Sequence, residues 1–225
     1  MLRPDAWLSQ QLGKAAWHLA LPEDPEADIA LPVPGPCFVD AKVAVADTAG
    51  AARLEAAGFR LVDTNVQLQR PAWPGAHSRT SRMAEDRDRR AVEAIAGSSF
   101  QTSRFHLDPA IPGTVADRVK RAWAGNYFEG RRGDLMIVAE VEREVAGFLQ
   151  LLRQGETLVI DLIAVDAHFR GHGLAHDMIA CAEATVPDIK VLRVGTQIAN
   201  PGALRTYLRN RFEVVQASYV FHYHG

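Results

Sequence analysis

The sequence predicts a mixed α/β (α+β) fold: a mostly antiparallel mixed sheet flanked by helices, with a smaller β-α-β subdomain at the N-terminus. Three observations carry that prediction. Three strand-like runs, Leu135–Ala139, Val145–Leu152 and Thr157–Val165, follow one another through the short turns Glu142–Glu144 and Arg153–Glu156, the pattern of an antiparallel meander. The third run leads directly into Asp166-Ala-His-Phe-Arg-Gly-His-Gly-Leu-Ala175, a glycine-punctuated turn at the head of a helix. Two distant segments, residues 38–62 and 191–215, each read as strand, capped helix and strand.

The 225 residues, 48% hydrophobic and 23% charged, suffice for a substantial core. A formal net charge of −2 leaves no basic footprint for nucleic acid. Cys37 and Cys181 lie far apart in sequence, which argues against a disulfide framework and for a reducing compartment. The opening Met1-Leu-Arg-Pro-Asp-Ala-Trp-Leu8 lacks the apolar core and cleavage site of a secretory leader, and no run of about 18 apolar residues occurs. A cytoplasmic, unprocessed protein with no membrane partner is expected.

In chain order, residues 1–36 are weakly patterned, with Trp7, Leu8, Leu12, Trp17 and Leu19 as a small apolar face. The closely spaced prolines of Leu31–Pro36 deny both helix and ladder, so this stretch is loop. Phe38–Val45 is strand-like, Asp47 a good N-cap, Thr48–Ala57 a helix, Gly58 its stop and Phe59–Val62 the next strand. Residues 70–83 have linker composition and divide an N-terminal subdomain (1–69) from the main domain (84–225). There, Ala84–Phe100 is helical, with Ala91, Ile95 and Ala96 inward and Arg87–Arg90 as a solvated charged face. Ser98–Pro109 is loop, and Thr114–Tyr127 is a helix with Val115, Val119, Trp123 and Tyr127 at core spacing. After the meander come a helix Leu174–Thr185 with Cys181 in its core face, a strand Val191–Val194, a helix Pro201–Asn210 capped by Asn200, and a strand Phe212–Val215. His222–His224 reads as a solvated end. Laying Phe59 on Phe212 puts Asp47 on Asn200, Leu54 on Tyr207 and Gly58 on Arg211. A pseudo-repeat and the chance likeness of two common units are both open at this point.

The turn at Arg170-Gly171-His172-Gly173 gathers backbone N–H groups, and the following helix adds its unpaired N–H groups and the positive end of its dipole, a cradle suited to phosphate. A dinucleotide fold would place its glycine turn after the first strand, not after a meander. A P-loop would follow its last glycine with Lys-Ser or Lys-Thr, where this chain has Leu174-Ala175. His168, His172 and His176 do not make a metal site, because the first two lie in the turn and no carboxylate completes the pattern.

Val165–Ala175 resembles the acetyl-coenzyme A motif of the GNAT N-acetyltransferases, whose Arg-x-x-Gly-x-Ala is met by Arg170, Gly173 and Ala175, and the element order agrees from about residue 82 onward. A narrower resemblance spans nearly the whole chain. The unit at residues 38–69, Ser103-Arg104-Phe105, and Arg193-Val-Gly-Thr-Gln197 with Asn200 are similar to the bacterial dTDP-fucosamine acetyltransferases, which acetylate the 4-amino group of a nucleotide-linked deoxysugar.

The resemblance implies a GNAT fold with acetyl-CoA as co-substrate and no metal. Pyrophosphate would sit on the N–H groups around Gly171, His172, Gly173, Leu174 and Ala175 beside Arg170. Pantetheine would add between the Val165 and Val191 strands, pairing near Ile163 and Val165 and touching Asn200. Tyr207 is the implied acid for the departing thiolate, since a phenol pKa of about 10 lies close to a thiol's, about 8.5. Asp63 and Asp161 are rival bases for the amine, each with a structural carboxylate as the competing reading. Asp161 is grouped by strand parity with Val159 and Ile163. Arg104, with Phe105, is either a ligand of the acceptor's phosphate or an ordinary surface arginine. Arg211 replaces the family's usual helix-ending glycine, which bears on the geometry there.

The expected activity is N-acetyl transfer from acetyl-CoA to the amine of a nucleotide-linked amino-deoxysugar, by direct attack. Another small amine (antibiotic, polyamine or amino acid) or non-catalytic acyl-CoA binding are the alternatives, and a homodimer is compatible with all three.

Overall fold

The computed structural model describes residues 1–225 except 23, 25–26, 32–34, 75–77 and 79. Half of the expected proline loop and the centre of the expected linker thus lie outside the described residues. Among those described, ten strands form one sheet: β1 (Leu2–Pro4), β2 (Ala15–Leu19), β3 (Cys37–Ala44), β4 (Arg60–Pro71), β5 (Ser81–Met83), β6 (Leu135–Val141), β7 (Glu144–Gln154), β8 (Thr157–Val165), β9 (Val191–Gln197) and β10 (Glu213–His224). The spatial order is β1-β2-β3-β10-β4-β9-β8-β7-β6-β5, parallel at β2–β3 and β8–β9 and antiparallel elsewhere. Helices α1 (Ala6–Leu12), α2 (Thr48–Ala56), α3 (Arg89–Ser99), α4 (Gly113–Gly125), α5 (Leu174–Thr185) and α6 (Pro201–Arg209) flank it. One core lies beneath α5 and α6, another beneath α3 and α4.

Several expectations need correction. The unpatterned residues 1–36 contain β1, α1 and β2, with α1 capped by Asp5, whose Oδ1 accepts from the Leu8 N–H at 2.8 Å. The ends of the expected linker are ordered structure, because composition reports polarity and not pairing. Arg70 and Pro71 finish β4, and buried Arg70 grips Glu183 of α5 through two hydrogen bonds of 2.8 and 2.7 Å. The hydroxyls of Ser78, Thr80 and Ser81 all donate to the Asp177 carboxylate in the first turn of α5. The sheet runs unbroken across this segment, with β4 between β10 and β9. Asp88, in the expected solvated charge run, is buried beneath Arg82 (2.7 and 3.0 Å). His222 is 1% exposed rather than solvated, because β10 extends far past Val215 as a central strand.

The two β-α-β units interlock. β10 lies between β3 and β4, and β4 between β10 and β9, so each crossover spans a strand of the other unit. The shift of 153 positions that carries Asp47 onto Asn200 also carries the β4–β9 register, Asn65↔Gln197 to Pro71↔Val191, onto the β10–β3 register, Ser218↔Ala44 to His224↔Phe38. It maps the β4–β10 ladder onto itself about Asn65↔Ser218 and exchanges its two bulges, at Val62 and Val215. The caps match as well: the Gly50 N–H donates to Asp47 at 2.8 Å and the Ala203 N–H to Asn200 Oδ1 at 3.0 Å. At the helix ends the Phe59 N–H returns to the Leu54 carbonyl (2.9 Å) and the Phe212 N–H to the Tyr207 carbonyl (3.0 Å). Arg211 adopts φ 59° where Gly58 has 88°, so the helix-end geometry survives the loss of glycine. A local two-fold therefore relates the units.

Candidate active site

β8 and β9 pair from Thr157↔Val191 to Ile160↔Val194 and then part. β8 stays with β7 as far as Val165↔Gly147, and β9 stays with β4 as far as Gln197↔Asn65, so the sheet forks. At the fork Asp161 occupies a bulge, since Gln150 pairs with Leu162 while Leu151 pairs with Ile160. A bulge reverses the alternation of side chains. Leu158 and Ile160 accordingly enter the core under α5, and Leu162 and Ala164 the core under α3. Of the two residues that parity grouped with Asp161, only Val159 shares its face. Beyond the bulge, the Asp166 N–H bonds the Ala146 carbonyl (2.8 Å). By antiparallel alternation, Ile163 and Val165 then turn their main-chain groups away from β7, into the fork.

The chain next makes the glycine turn. Gly171 (φ 88°) and Gly173 (φ 79°) hold left-handed conformations that suit glycine. Gly173 caps α5 without a side-chain hydrogen bond. Among the described residues the N–H groups from Arg170 through His176 have no protein acceptor, whereas α2 and α6 are capped by Asp47 and Asn200. Arg170 Nε donates to the Val165 carbonyl at 3.1 Å, tying the turn to the end of β8. Unpaired N–H groups at a helix start form a site for an anion.

Tyr207 on α6 borders the fork from the α5 side, in one core with Ile160, Leu174 and Val194. It is 3% exposed, its ring meets Phe212 edge-on at 5.6 Å, and its hydroxyl makes no hydrogen bond to the described protein. Burial pushes its pKa well above the usual value, so it is protonated and able to donate. Asn200 uses Oδ1 for its cap and leaves its NH₂ without a protein acceptor among the described residues.

The opposite face, beneath α4, is charged. Asp161 is saturated: Arg132 donates to it at 2.7 and 2.6 Å, Trp123 Nε1 at 2.9 Å and Gln150 Nε2 at 3.1 Å. Asp63 is its opposite. It lies on β4 just beyond the last rung with β9, buried, with Oδ1 unpartnered, and burial raises its pKa to about 6 against the pull of Lys42 and Arg104. Arg104 donates to Asp40 on β3. Burial pushes Asp40 upward, but Arg104 and the hydrogen bond with His18 (2.9 Å) hold it well below the usual carboxylate range. Burial, with Arg104 nearby, lowers Lys42 and brings Lys120 of α4 down to about 8. Phe105 is 1% exposed and stacks beneath the Arg104 guanidinium (4.5 Å), so it supports that arginine from the core.

The geometry thus gathers Ile163, Val165, Arg170–Ala175, Asn200 and Tyr207 around the fork, and Asp63 and Arg104 on its charged face. Asp40, Lys42 and Lys120 escaped sequence reading. The available signal was two opposite charges, Asp40 and Lys42, on the same side of a strand as Phe38. His222 and His224 both bond Asp108 Oδ2, at 2.6 and 2.8 Å, and fasten the loop after α3 to β10.

Comparison with known proteins agrees with this architecture. Residues 101–212 match the model of the acetyltransferase (GNAT) family. The chain is 31% identical over 140 residues to the spore coat polysaccharide biosynthesis protein SpsD of Bacillus subtilis (strain 168), covering 61% of this chain and 48% of that one, so it spans about half the length of that relative. It is 27% identical over 187 residues to the dTDP-fucosamine acetyltransferase of Escherichia coli O6:H1, covering 80% of this chain and 79% of the relative. A GCN5-related N-acetyltransferase from Sphaerobacter thermophilus shares the fold, with a TM-score of 0.56 at 13% identity over 84% of this chain and 60% of that structure. Among the described residues no helix is long and apolar enough to cross a membrane, and Cys37 and Cys181 are both free and buried. Residues 101–212 thus make this a chain that carries a GNAT acetyltransferase domain.

Proposed function

We propose that the chain is a cytoplasmic, acetyl-CoA-dependent N-acetyltransferase acting on the amine of a nucleotide-linked amino-deoxysugar. The observation that carries this reading is the fork, with an uncapped helix start at its mouth, a buried phenol on one face and on the other a buried carboxylate with one oxygen unpartnered. On the donor side, the N–H groups of Gly171–Ala175 and the Arg170 turn hold the pyrophosphate, and the main chain of Ile163 and Val165 with the Asn200 amide receives the pantetheine arm. The thioester then lies where β8 and β9 part.

An amine attacks a thioester directly, so no protein nucleophile and no metal is needed. The amine must lose a proton, and Asp63 is the base that accepts it: its pKa of about 6 leaves it ionised at neutral pH yet more basic than a solvated carboxylate. Asp161, with its oxygens fully engaged, positions Trp123 and Arg132 instead. Tyr207 gives its proton to the departing thiolate. In this reading the N-terminal unit, residues 1–69, shares acceptor recognition with the acetyltransferase domain at 84–225, to which residues 70–83 join it. The sugar-nucleotide acceptor draws its support from the name of the Escherichia coli relative, and from the facing of Arg104 with Asp40, Lys42 and Asp63 onto one surface.

Thiol release from acetyl-CoA, measured against a panel of amines that includes a nucleotide-linked 4-amino sugar, tests the proposal. Turnover restricted to the sugar nucleotide is the expected result. Turnover only with polyamines, amino acids or antibiotics would move the acceptor elsewhere, binding without turnover would leave an acyl-CoA-binding protein, and no binding of acetyl-CoA in calorimetry would end the whole reading.

A further inference from the structure

Beside the fork, a cavity of about 300 Å³ opens between the N-terminal segment and α4, with Trp7, Arg104, Trp123, Asn126, Arg131 and Arg132 in its wall. That volume is at the small end of ligand pockets, about 300–1,000 Å³. Its wall is unusual in three respects. Asn126 is 7% exposed, yet its side-chain amide has no protein partner among the described residues and its residue faces the cavity. Its amide is not sealed off from solvent and is open to a partner in the cavity. An Asn amide offers one donor and one acceptor side by side, which complements the edge of a nucleobase.

The second feature is aromatic. Trp7 is half-buried and meets Trp123 in a T-shaped contact, with ring centroids 5.7 Å apart and an interplanar angle of 80°, which covers at most one of its two faces. Trp123 is already faced by Lys120 (4.9 Å) and Arg132 (4.7 Å). The third is charge. Arg104 is held through Nη1 by Asp40, and Arg132 through Nε and Nη2 by Asp161, leaving Nη2 and Nε of the first and Nη1 of the second without protein acceptors among the described residues. Such half-engaged guanidinium groups are fixed in place and still free to bind phosphate. Since Trp123 and Arg132 also hold Asp161 at the fork, the cavity adjoins the reacting centre.

We propose that this cavity is the seat of the acceptor's nucleoside diphosphate, with the base against Trp7 and its edge on Asn126, and the diphosphate on Arg104 and Arg132. The proposal rests on the sugar-nucleotide reading above and directs the sugar amine towards Asp63 and the fork.

The test is calorimetric titration of the full chain with dTDP alone, with inorganic pyrophosphate and, separately, with acetyl-CoA. Binding of dTDP, clearly tighter than that of pyrophosphate, is expected. Asn126→Ala and Trp7→Leu should each weaken it about tenfold or more, with acetyl-CoA affinity unchanged as the sign that the variant is folded. Because Trp7 is only half-buried, Trp7→Leu keeps the test decisive if Asn126→Ala does not fold. Undetectable dTDP binding by a chain that binds acetyl-CoA would overturn the nucleotide site and leave the acetyltransferase reading standing. So would dTDP binding insensitive to both substitutions. Binding of dTDP that these variants weaken, in a chain that does not bind acetyl-CoA, would support the cavity and overturn the enzyme.

Discussion

The units β3-α2-β4 and β9-α6-β10 share caps, registers, helix ends and even their bulges, yet only the second has an outer strand that parts from its parallel neighbour to open the fork. The difference begins at the outer strand. β2, the parallel neighbour of β3, ends at Leu19 while still paired with Ala41, so among the described residues no slot opens beside it. β8, the parallel neighbour of β9, runs on past Ile160 into the bulge and the glycine turn, and the sheet splits. Side chains follow suit: Leu54 is buried hydrocarbon where Tyr207 carries its hydroxyl, and Gln216 stands where Asp63 does. In the proposed reaction one backbone plan, used twice, supplies an acid from one copy and a base from the other, and the neighbouring strand decides which copy meets the donor.

The strongest way to break this comparison is at its centre. Tyr207→Phe should lower kcat by about 10²-fold or more while KM for acetyl-CoA stays within a small factor, as steady-state thiol release would record. The matching change in the other copy, Leu54→Phe, should leave kcat alone and cost stability by overpacking, about 1–3 kcal/mol in a urea melt. A Tyr207→Phe enzyme with unchanged kcat would remove the asymmetry from the chemistry.

Asp63→Asn should cost about 10²-fold in kcat/KM, and it has a pH signature. With the wild-type carboxyl raised to about 6, the acidic limb of the rate profile should climb through about pH 6, and the variant should lack that limb. Stability runs the other way. A carboxyl whose folded pKa exceeds its unfolded value favours the fold below the unfolded value, and that contribution is lost as pH rises through about 6. Asp63→Asn should therefore be more stable than wild type at pH 8, by about 2 kcal/mol, with the gain shrinking towards pH 4.

The caps sharpen the comparison further. Asp47→Ala and Asn200→Ala should each cost about 1 kcal/mol of stability, since each removes the hydrogen bond to the third helical N–H. Only Asn200→Ala should also raise KM for acetyl-CoA, and an equal rise in both variants would place Asn200 outside the donor site. The smallest effect is expected at Arg211, which holds φ 59° where its counterpart is Gly58. Arg211→Gly should raise the melting temperature through a gain of about 0.5–1 kcal/mol, offset in part by the lost approach of Arg211 to Trp73 (5.8 Å).

Much of this molecule was legible in its residues. The meander, the glycine turn, α5 from Leu174 to Thr185, and the Asp47 and Asn200 caps follow from local rules, because hydrophobic alternation, positive φ and capping act within a few residues. The spacing shared by the two units was legible for the same reason. Residues 1–19 were not, since three short elements carry too little periodicity to be seen before they pair.

What only the tertiary structure decided is everything that depends on neighbours across the sheet. The bulge at Asp161 splits a parity that the linear sequence presents as continuous, and Asp161 and Asp63, indistinguishable as rival carboxylates on paper, part company there. Asp161 is engaged by Arg132, Trp123 and Gln150, while Asp63 is buried with an oxygen unpartnered. His222 passes from a solvated end to a buried strand because β10 threads between β3 and β4. Short-range rules placed the turn and the phenol on their elements. The fork, the two faces and the state of each carboxylate arise from contacts between residues far apart in the chain, which local sequence does not encode.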